Sequence, residues 1–194
     1  MRSFEKKMDR PQKLSRWKLG RKLSTYFPAE VSMPPLLSSL EVEERIRIGV
    51  NHALRQYKQR GKDVRVRLAA CSLSIQLEDL SRIVEELVDN ACKFSRQDTP
   101  VSVELSAGGQ LIITDRGRGL TAEEISCIGA FQQFDRKKYE QQGLGLGLVL
   151  VQKLTALCQA KFSINSVPGE GTRVQIAFPL AAADSKEARS TTLA

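Results

Sequence analysis

Residues 77–94, LEDLSRIVEELVDNACKF, place Leu80, Ile83, Val84, Leu87, Val88, Ala91 and Phe94 three or four positions apart. That spacing gathers the apolar side chains into a stripe on one face of an α-helix. A helix of this kind is stable only when the stripe is buried, so neighbouring segments must supply a second layer. The neighbours read as strands. DVRVRLAA (63–70) alternates apolar and polar residues, and VSVELS and QLIITD flank a turn at Gly108-Gly109. KFSINS and TRVQIAF flank a second turn at Pro168-Gly169. Helices are expected over 39–61, with Val42, Ile46, Val50 and Leu54 four apart and Gly61 as the stop, and over GLVLVQKLTALCQ. A short helix after Thr121 is marked by the capping-box spacing of Thr121 and Glu124. Strands joined mainly as hairpins predict an α+β, two-layer sandwich: a mixed, mostly antiparallel sheet with helices on one face. The regular β-α-β alternation of a doubly wound sheet is absent.

The basic character of the chain is local. Net charge is +8, and residues 1–38 hold nine Lys/Arg against Glu5, Asp9 and Glu30. This defines a basic N-terminal arm (1–38), a globular region (39–180) and a polar tail (181–194) that reads as disordered. Pro11, Pro28, Pro34 and Pro35 interrupt the arm, while Leu19, Leu23 and Tyr26 or Phe27 fall at helical spacing beside Lys18, Arg21 and Lys22. Such an arm can bind nucleic acid, an anionic membrane surface or an acidic partner; a solvated leader is the plainer reading, and its short helix could equally pack on the body of the protein. A main domain close to neutral argues against nucleic acid as its partner. No apolar run reaches the roughly 20 residues of a transmembrane helix. The basic N-terminus lacks the apolar core of an export signal. Cys71, Cys92, Cys127 and Cys158 are widely spaced, as expected of reduced thiols in a cytoplasmic protein.

Three polar constellations stand out. Glu86, Asn90 and Lys93 share one edge of the 77–94 helix. An amide oxygen there can ligate Mg²⁺ and an ammonium can pair with a phosphate, although a solvated helix face explains the same residues. Asp115 ends the strand QLIITD ahead of Gly117 and Gly119. A carboxylate so placed can accept a hydrogen bond from an exocyclic amine such as that of adenine, and a tight turn is the plainer alternative. Gly143, Gly145 and Gly147 run into a helix whose N-terminus favours anions. Each element alone is weak. Their order carries more weight, with Asp115 25 residues after Asn90 and Gly143 28 residues after Asp115.

Taken together, residues 40–180 resemble the ATP-binding catalytic domain of sensor histidine kinases, within the GHKL superfamily that includes gyrase and mismatch-repair ATPases. ELVDNACKFS resembles the N box, DRGRGL the G1 box, and GLGLGL the G2 box. FQQFDRKKYEQQG is similar to the F box and ATP lid, and GTRVQIAFPL to the closing strand. The set is similar to the kinase domains of bacterial hybrid sensor-regulator proteins. The resemblance implies a Bergerat-type ATP-binding fold with ATP and Mg²⁺ as ligands. It implies that Asn90 ligates Mg²⁺ with Lys93 near the phosphates, and that Asp115 binds the adenine amine. Gly117 and Gly119 would shape that pocket and Thr172 would support Asp115. Gly143, Leu144, Gly145, Leu146 and Gly147 would wrap the triphosphate. Among Arg136, Lys137 and Lys138 of the lid, one cation would stabilise the transferring phosphoryl group. Glu86 stands where hydrolytic relatives place a water-activating glutamate, and a role at Mg²⁺ is the other reading.

A sensor kinase also needs a helical hairpin bearing a phosphoacceptor histidine. The sequence has one histidine, His52 in NHALRQY, which is superficially like the family's H-E-L-R-T-P but has Ala53 and Tyr57 at the acidic and proline positions. Thirty-eight residues separate it from Asn90, too few for the hairpin's second helix. His52 is therefore expected in the first helix of the ATP-binding domain. The expected function is a kinase module that passes the γ-phosphate to a partner, either a phosphoacceptor-histidine protein or a response-regulator system. The alternatives are an autonomous ATPase using Glu86 and a non-catalytic, nucleotide-dependent binding module that docks on a regulator and uses nucleotide only to order its lid. An anti-sigma-factor kinase is a variant of the first, and the F-box-like lid favours the sensor-kinase branch.

Overall fold

The computed structural model of the protein describes residues 34–129 and 146–179. In chain order they form β1 (Leu36–Leu37), α1 (Ser39–Leu54), a 3-10 turn (Lys58–Arg60), β2 (Val64–Leu68), β3 (Leu73–Ser74) and α2 (Leu77–Phe94). There follow β4 (Val101–Leu105), β5 (Gln110–Asp115), α3 (Ala122–Gly129), α4 (Leu146–Leu157), β6 (Lys161–Val167) and β7 (Gly171–Ala177). Five strands make one sheet in the order β2-β4-β5-β7-β6. β2 runs parallel to β4 because the connection between them contains α2, and the remaining pairs are antiparallel.

Alternation along the strands decides which side of the sheet is covered. Val101, Val103 and Leu105 on β4, Leu111 and Ile113 on β5, and Val174 and Ile176 on β7 are buried. They meet Leu80, Ile83, Val84, Leu87, Val88 and Ala91 from the stripe of α2, which is the central helix of the layer. α1 packs on α2 through Val42, Ile46, Val50 and Ala53, and α4 adds Val151 and Leu154. The expected two-layer α+β sandwich is the observed one. Cys92 and Cys158 are buried in this core, and burial pushes the Cys92 thiol up to about 11. Among the described residues no helix is long and apolar enough to cross a membrane.

Three details differ from the sequence reading. The two-residue ribbon β1–β3, pairing Leu36 with Ser74 and Leu37 with Leu73, is too short to leave a periodic signal. It moves the domain boundary placed at residue 39. Leu37 is 3% exposed, and Ser38 caps α1 through a reciprocal box in which its backbone N–H donates to Glu41 at 2.8 Å. Residues 36–38 therefore belong with the globular region rather than with the basic arm. The helix expected to reach Gly61 stops at Leu54, since Tyr57 takes φ −123°, ψ 55° and the chain tightens into a 3-10 turn.

That turn directs Arg60 inward. Arg60 is 5% exposed and its neighbour Asp63 is 7% exposed. Nε of Arg60 donates to Asp63 Oδ2 at 2.9 Å. Nη1 donates to the carbonyl of Cys92 at 2.7 Å and to the carbonyl and hydroxyl of Ser95 at 3.0 Å, and Nη2 donates to the Thr99 carbonyl at 3.1 Å. The guanidinium thus satisfies the carbonyls left open at the end of α2 and ties them to the start of β2. Arg60→Ala strands these acceptors together with the Asp63 carboxylate. It is expected to cost about 3–5 kcal/mol in chemical denaturation. Arg60→Lys is expected to recover less than half of that, because one ammonium cannot reach the same set of acceptors.

Candidate functional site

The polar edge of α2 and the ends of β5 and β7 converge on one pocket. Its lining comprises Leu87, Asn90, Ala91 and Phe94 from α2, Ile113 and Asp115 from β5, and Gly119 and Leu120 from the following loop. Leu148 of α4 and Thr172 and Val174 of β7 complete it. Of the residues singled out from the sequence, Asn90, Asp115, Gly119 and Thr172 meet here, although Asn90 and Thr172 are 82 positions apart in the chain. β5–β7 pairing sets Asp115 opposite Thr172.

Asp115 is the acceptor at the base of walls that are otherwise mainly apolar. The Gly117 N–H donates to its Oδ1 at 2.7 Å. Burial raises its carboxyl above the ordinary aspartate value of 3.8, and backbone hydrogen bonds from Gly117 and Thr172 partly oppose that rise. Folding therefore favours the protonated form, and ionising Asp115 costs stability as pH rises through its elevated value. One carboxylate among aliphatic side chains suits a flat, largely apolar ring that carries an N–H donor.

The loop beyond β5 is held from two sides. Gly119 has φ +67°, and a Cβ at this position would overlap the Val167 carbonyl. The Gly169 N–H donates to the Arg118 carbonyl at 2.7 Å. Ser166 Oγ accepts from the Leu120 N–H at 2.8 Å, donates to the Gly171 carbonyl at 2.8 Å, and lies 3.0 Å from Thr172 Oγ1. Ser166 went unnoticed in the sequence, where it is one polar position on an alternating strand. Only its cross-strand register with Thr172 brings it to the site. The capping box expected at Thr121 is present, with the Thr121 N–H donating to Glu124 at 2.8 Å and the Glu124 N–H donating to Thr121 Oγ1 at 3.2 Å.

Asn90 lines the pocket, and Glu86, one turn earlier on α2, faces Gly147 in the first turn of α4. A Cβ on Gly147 would overlap Glu86 Oε2 and lie 3.6 Å from Asn90 Nδ2, so this glycine leaves room between the two helices. Among the described residues no group of three or more His, Cys, Asp and Glu is placed to hold a metal by itself. Asn90 beside one carboxylate fits a Mg²⁺ ion whose other ligands come from phosphate and water. The fit is better for Asn90 than for Glu86, because Arg82 already pairs with the Glu86 carboxylate. Lys93 is exposed and is not among the lining residues; its ammonium lies 5.2 Å from the Phe94 ring centroid. Leu146 is the first residue of α4. Arg136, Lys137, Lys138, Gly143, Leu144 and Gly145 lie outside the described residues.

Comparisons with known proteins agree with this geometry. Residues 75–182 match the family described as histidine kinase-, DNA gyrase B-, and HSP90-like ATPase. The sensor protein GacS of Pseudomonas syringae is 32% identical over 119 residues, 56% of this chain and 13% of that protein. The cell-division control histidine kinase PdhS of Brucella anthropi is 32% identical over 114 residues, 52% of this chain and 11% of that protein. The chain thus matches little more than a tenth of the length of these relatives. In fold it is similar to the mycobacterial sensor histidine kinase MprB, with TM-score 0.57 and 24% identity over 76% of this chain and 97% of the other. It is equally similar to the cytoplasmic segment of the histidine kinase QseC, with TM-score 0.57 and 20% identity over 90% and 99%.

The glycine at 119 offers a direct check on the pocket wall. Gly119→Ala introduces both a positive-φ penalty and a clash with backbone, so thermal denaturation should show a loss of about 1–3 kcal/mol.

Proposed function

The chain belongs to the family of histidine kinase-, DNA gyrase B- and HSP90-like ATPases, and from that membership we propose that it is the ATP-binding catalytic module of a sensor histidine kinase. In this reading ATP is the phosphoryl donor and a histidine on a partner is the acceptor. The observation that carries it is the meeting of Asp115 and Asn90 in one mainly apolar pocket, with Gly147 at the start of α4 close to Asn90 and Glu86.

Each role follows from local chemistry. Asp115 accepts the adenine amine while Leu87, Ala91, Ile113, Leu148 and Val174 enclose the ring. Asn90 offers its amide oxygen to Mg²⁺, which when bound neutralises phosphate charge. The N-terminal turn of α4, following the glycine run, directs backbone N–H groups toward the phosphates. Lys93, Arg136 and Lys137 are assigned the cationic contacts to the phosphates, and Thr172 keeps Asp115 in register. Catalysis is then a matter of positioning and electrostatics, as phosphoryl transfer requires.

His52 lies inside α1, with Nδ1 3.9 Å from Glu85 Oε2, packed against the helix that carries the site. It is the single histidine of the sequence. We therefore assign the acceptor to a histidine-bearing helical hairpin other than this domain, acting in the cytoplasm and passing its phosphate on to a response regulator. The basic residues 1–35 are the segment we assign to docking. A second reading is favoured by the contact of Glu86 with Gly147 beside Asn90: hydrolysis of ATP with Glu86 as base.

Incubating the chain with Mg²⁺ and ATP labelled at the γ-phosphate, with and without an added hairpin protein, separates these readings. Label on the hairpin supports the kinase module. Released phosphate that disappears in Glu86→Gln, with no label transferred, supports the ATPase. Asp115→Asn is expected to weaken binding of a fluorescent ATP analogue roughly 10–100-fold, the cost of losing a charge-assisted hydrogen bond. In the wild type, binding should weaken on acidification starting above the ordinary aspartate value of 3.8, because burial raises the Asp115 carboxyl; Asp115→Asn should flatten that dependence.

A further inference from the structure

Glu86 is held at one carboxylate oxygen and faces Gly147 with the other. Oε1 pairs with Nη2 of Arg82, one turn earlier on α2, and Oε2 lies against Gly147. Arg82 spans two carboxylates, since its Nη1 donates to Glu85 Oε2 at 3.0 Å. Its Nε is buried without a hydrogen-bond partner. A solvent-exposed i,i+4 pair carries little energy or consequence. This pair differs because the Glu86 side chain is only 18% exposed and faces Gly147 of α4 one turn from the pocket residue Asn90.

In hydrolysis, a water oxygen forms a bond to the γ-phosphorus while the bond from that phosphorus to the β–γ bridging oxygen breaks. ADP leaves with the electron pair, and the water's proton must pass to a base. Glu86 is the carboxylate one turn before Asn90 on α2. An oxygen held in an ion pair with a guanidinium is a poorer proton acceptor.

We propose that Arg82 is a positioning residue that restrains hydrolysis: by holding Glu86 Oε1 it leaves water unactivated, so the γ-phosphoryl group is kept for the acceptor histidine. This rests on the nucleotide-site reading above and adds to it a determinant of reaction choice. Glu85 shares the same guanidinium and also faces His52, so the tether is braced from α1 as well as α2.

The test compares wild type, Arg82→Met, Arg82→Lys, Glu86→Gln and the double variant Arg82→Met/Glu86→Gln as full chains. Three quantities are read: phosphate release at saturating ATP, label transfer to an added hairpin protein, and the dissociation constant of a fluorescent ATP analogue. Arg82→Met is expected to raise phosphate release roughly tenfold or more with little change in nucleotide affinity. Adding Glu86→Gln should abolish the gain, and Arg82→Lys, which keeps a cation beside Glu86, should stay near the wild-type rate. A purely structural role for Arg82 would move affinity and stability without this dependence on Glu86. Unchanged or lower phosphate release in an Arg82→Met chain that still binds nucleotide overturns the inference alone, as does a gain that survives Glu86→Gln. Failure of the wild-type chain to bind the analogue overturns the site reading and the inference together.

Discussion

The end of α2 is where the molecule is most tightly held, and a single guanidinium holds it. Arg60 brings its charge into the protein and directs every nitrogen at an acceptor: the Asp63 carboxylate, the carbonyls of Cys92, Ser95 and Thr99, and the Ser95 hydroxyl. A helix C-terminus buried without partners is unfavourable, and so is a lone buried cation; here each answers the other. Asp63 extends the arrangement by accepting from the Asp98 N–H at 3.0 Å, while its own carbonyl receives the Val101 N–H that starts β4. The exit of α2 and the entry of β4 are thereby fixed relative to β2.

Function depends on this because α2 is shared between core and site. Its stripe packs on the sheet, and its last two turns give Asn90, Ala91 and Phe94 to the pocket. The Ser95–Gly117 bridge and the Arg118 N–H bonded to the Phe94 carbonyl at 3.1 Å fasten the loop after Asp115 to the same helix end. Freedom at the end of α2 would therefore be felt at once by both Asp115 and Asn90. Preorganisation of this kind lets a site work by positioning alone.

Electrostatics within the site divide along burial. For Asp115, loss of solvent outweighs two backbone donors, and the carboxyl is raised. Glu86 is also raised, with burial the larger influence and Arg82 acting against it. Two carboxylates on neighbouring elements thus have different company, one facing a ring-shaped apolar space and the other a guanidinium. Differences of environment between like groups are how one fold assigns them different tasks.

What the sequence determined by itself was the set of regular elements and the identity of the polar residues between them. The α2 stripe, the two hairpins and the capping box at Thr121 all depend on intervals of two to four residues, which local sterics and hydrogen bonding dictate. The ATP-site reading rested on motifs equally local, around Asn90, Asp115 and the glycine run. What tertiary structure alone decided was everything that required distant segments to meet. Leu36–Leu37 became a strand only because Leu73–Ser74 lay alongside. The helix after Ser38 ended at Leu54 so that Arg60 reached carbonyls more than thirty positions away. Ser166 came beside Thr172 through strand register, and Lys93, promising on a helical wheel, stood outside the pocket lining while Arg82 took hold of Glu86. The physical reason is that periodicity records which face of an element is buried, whereas the partner of a given side chain is set by packing across the fold.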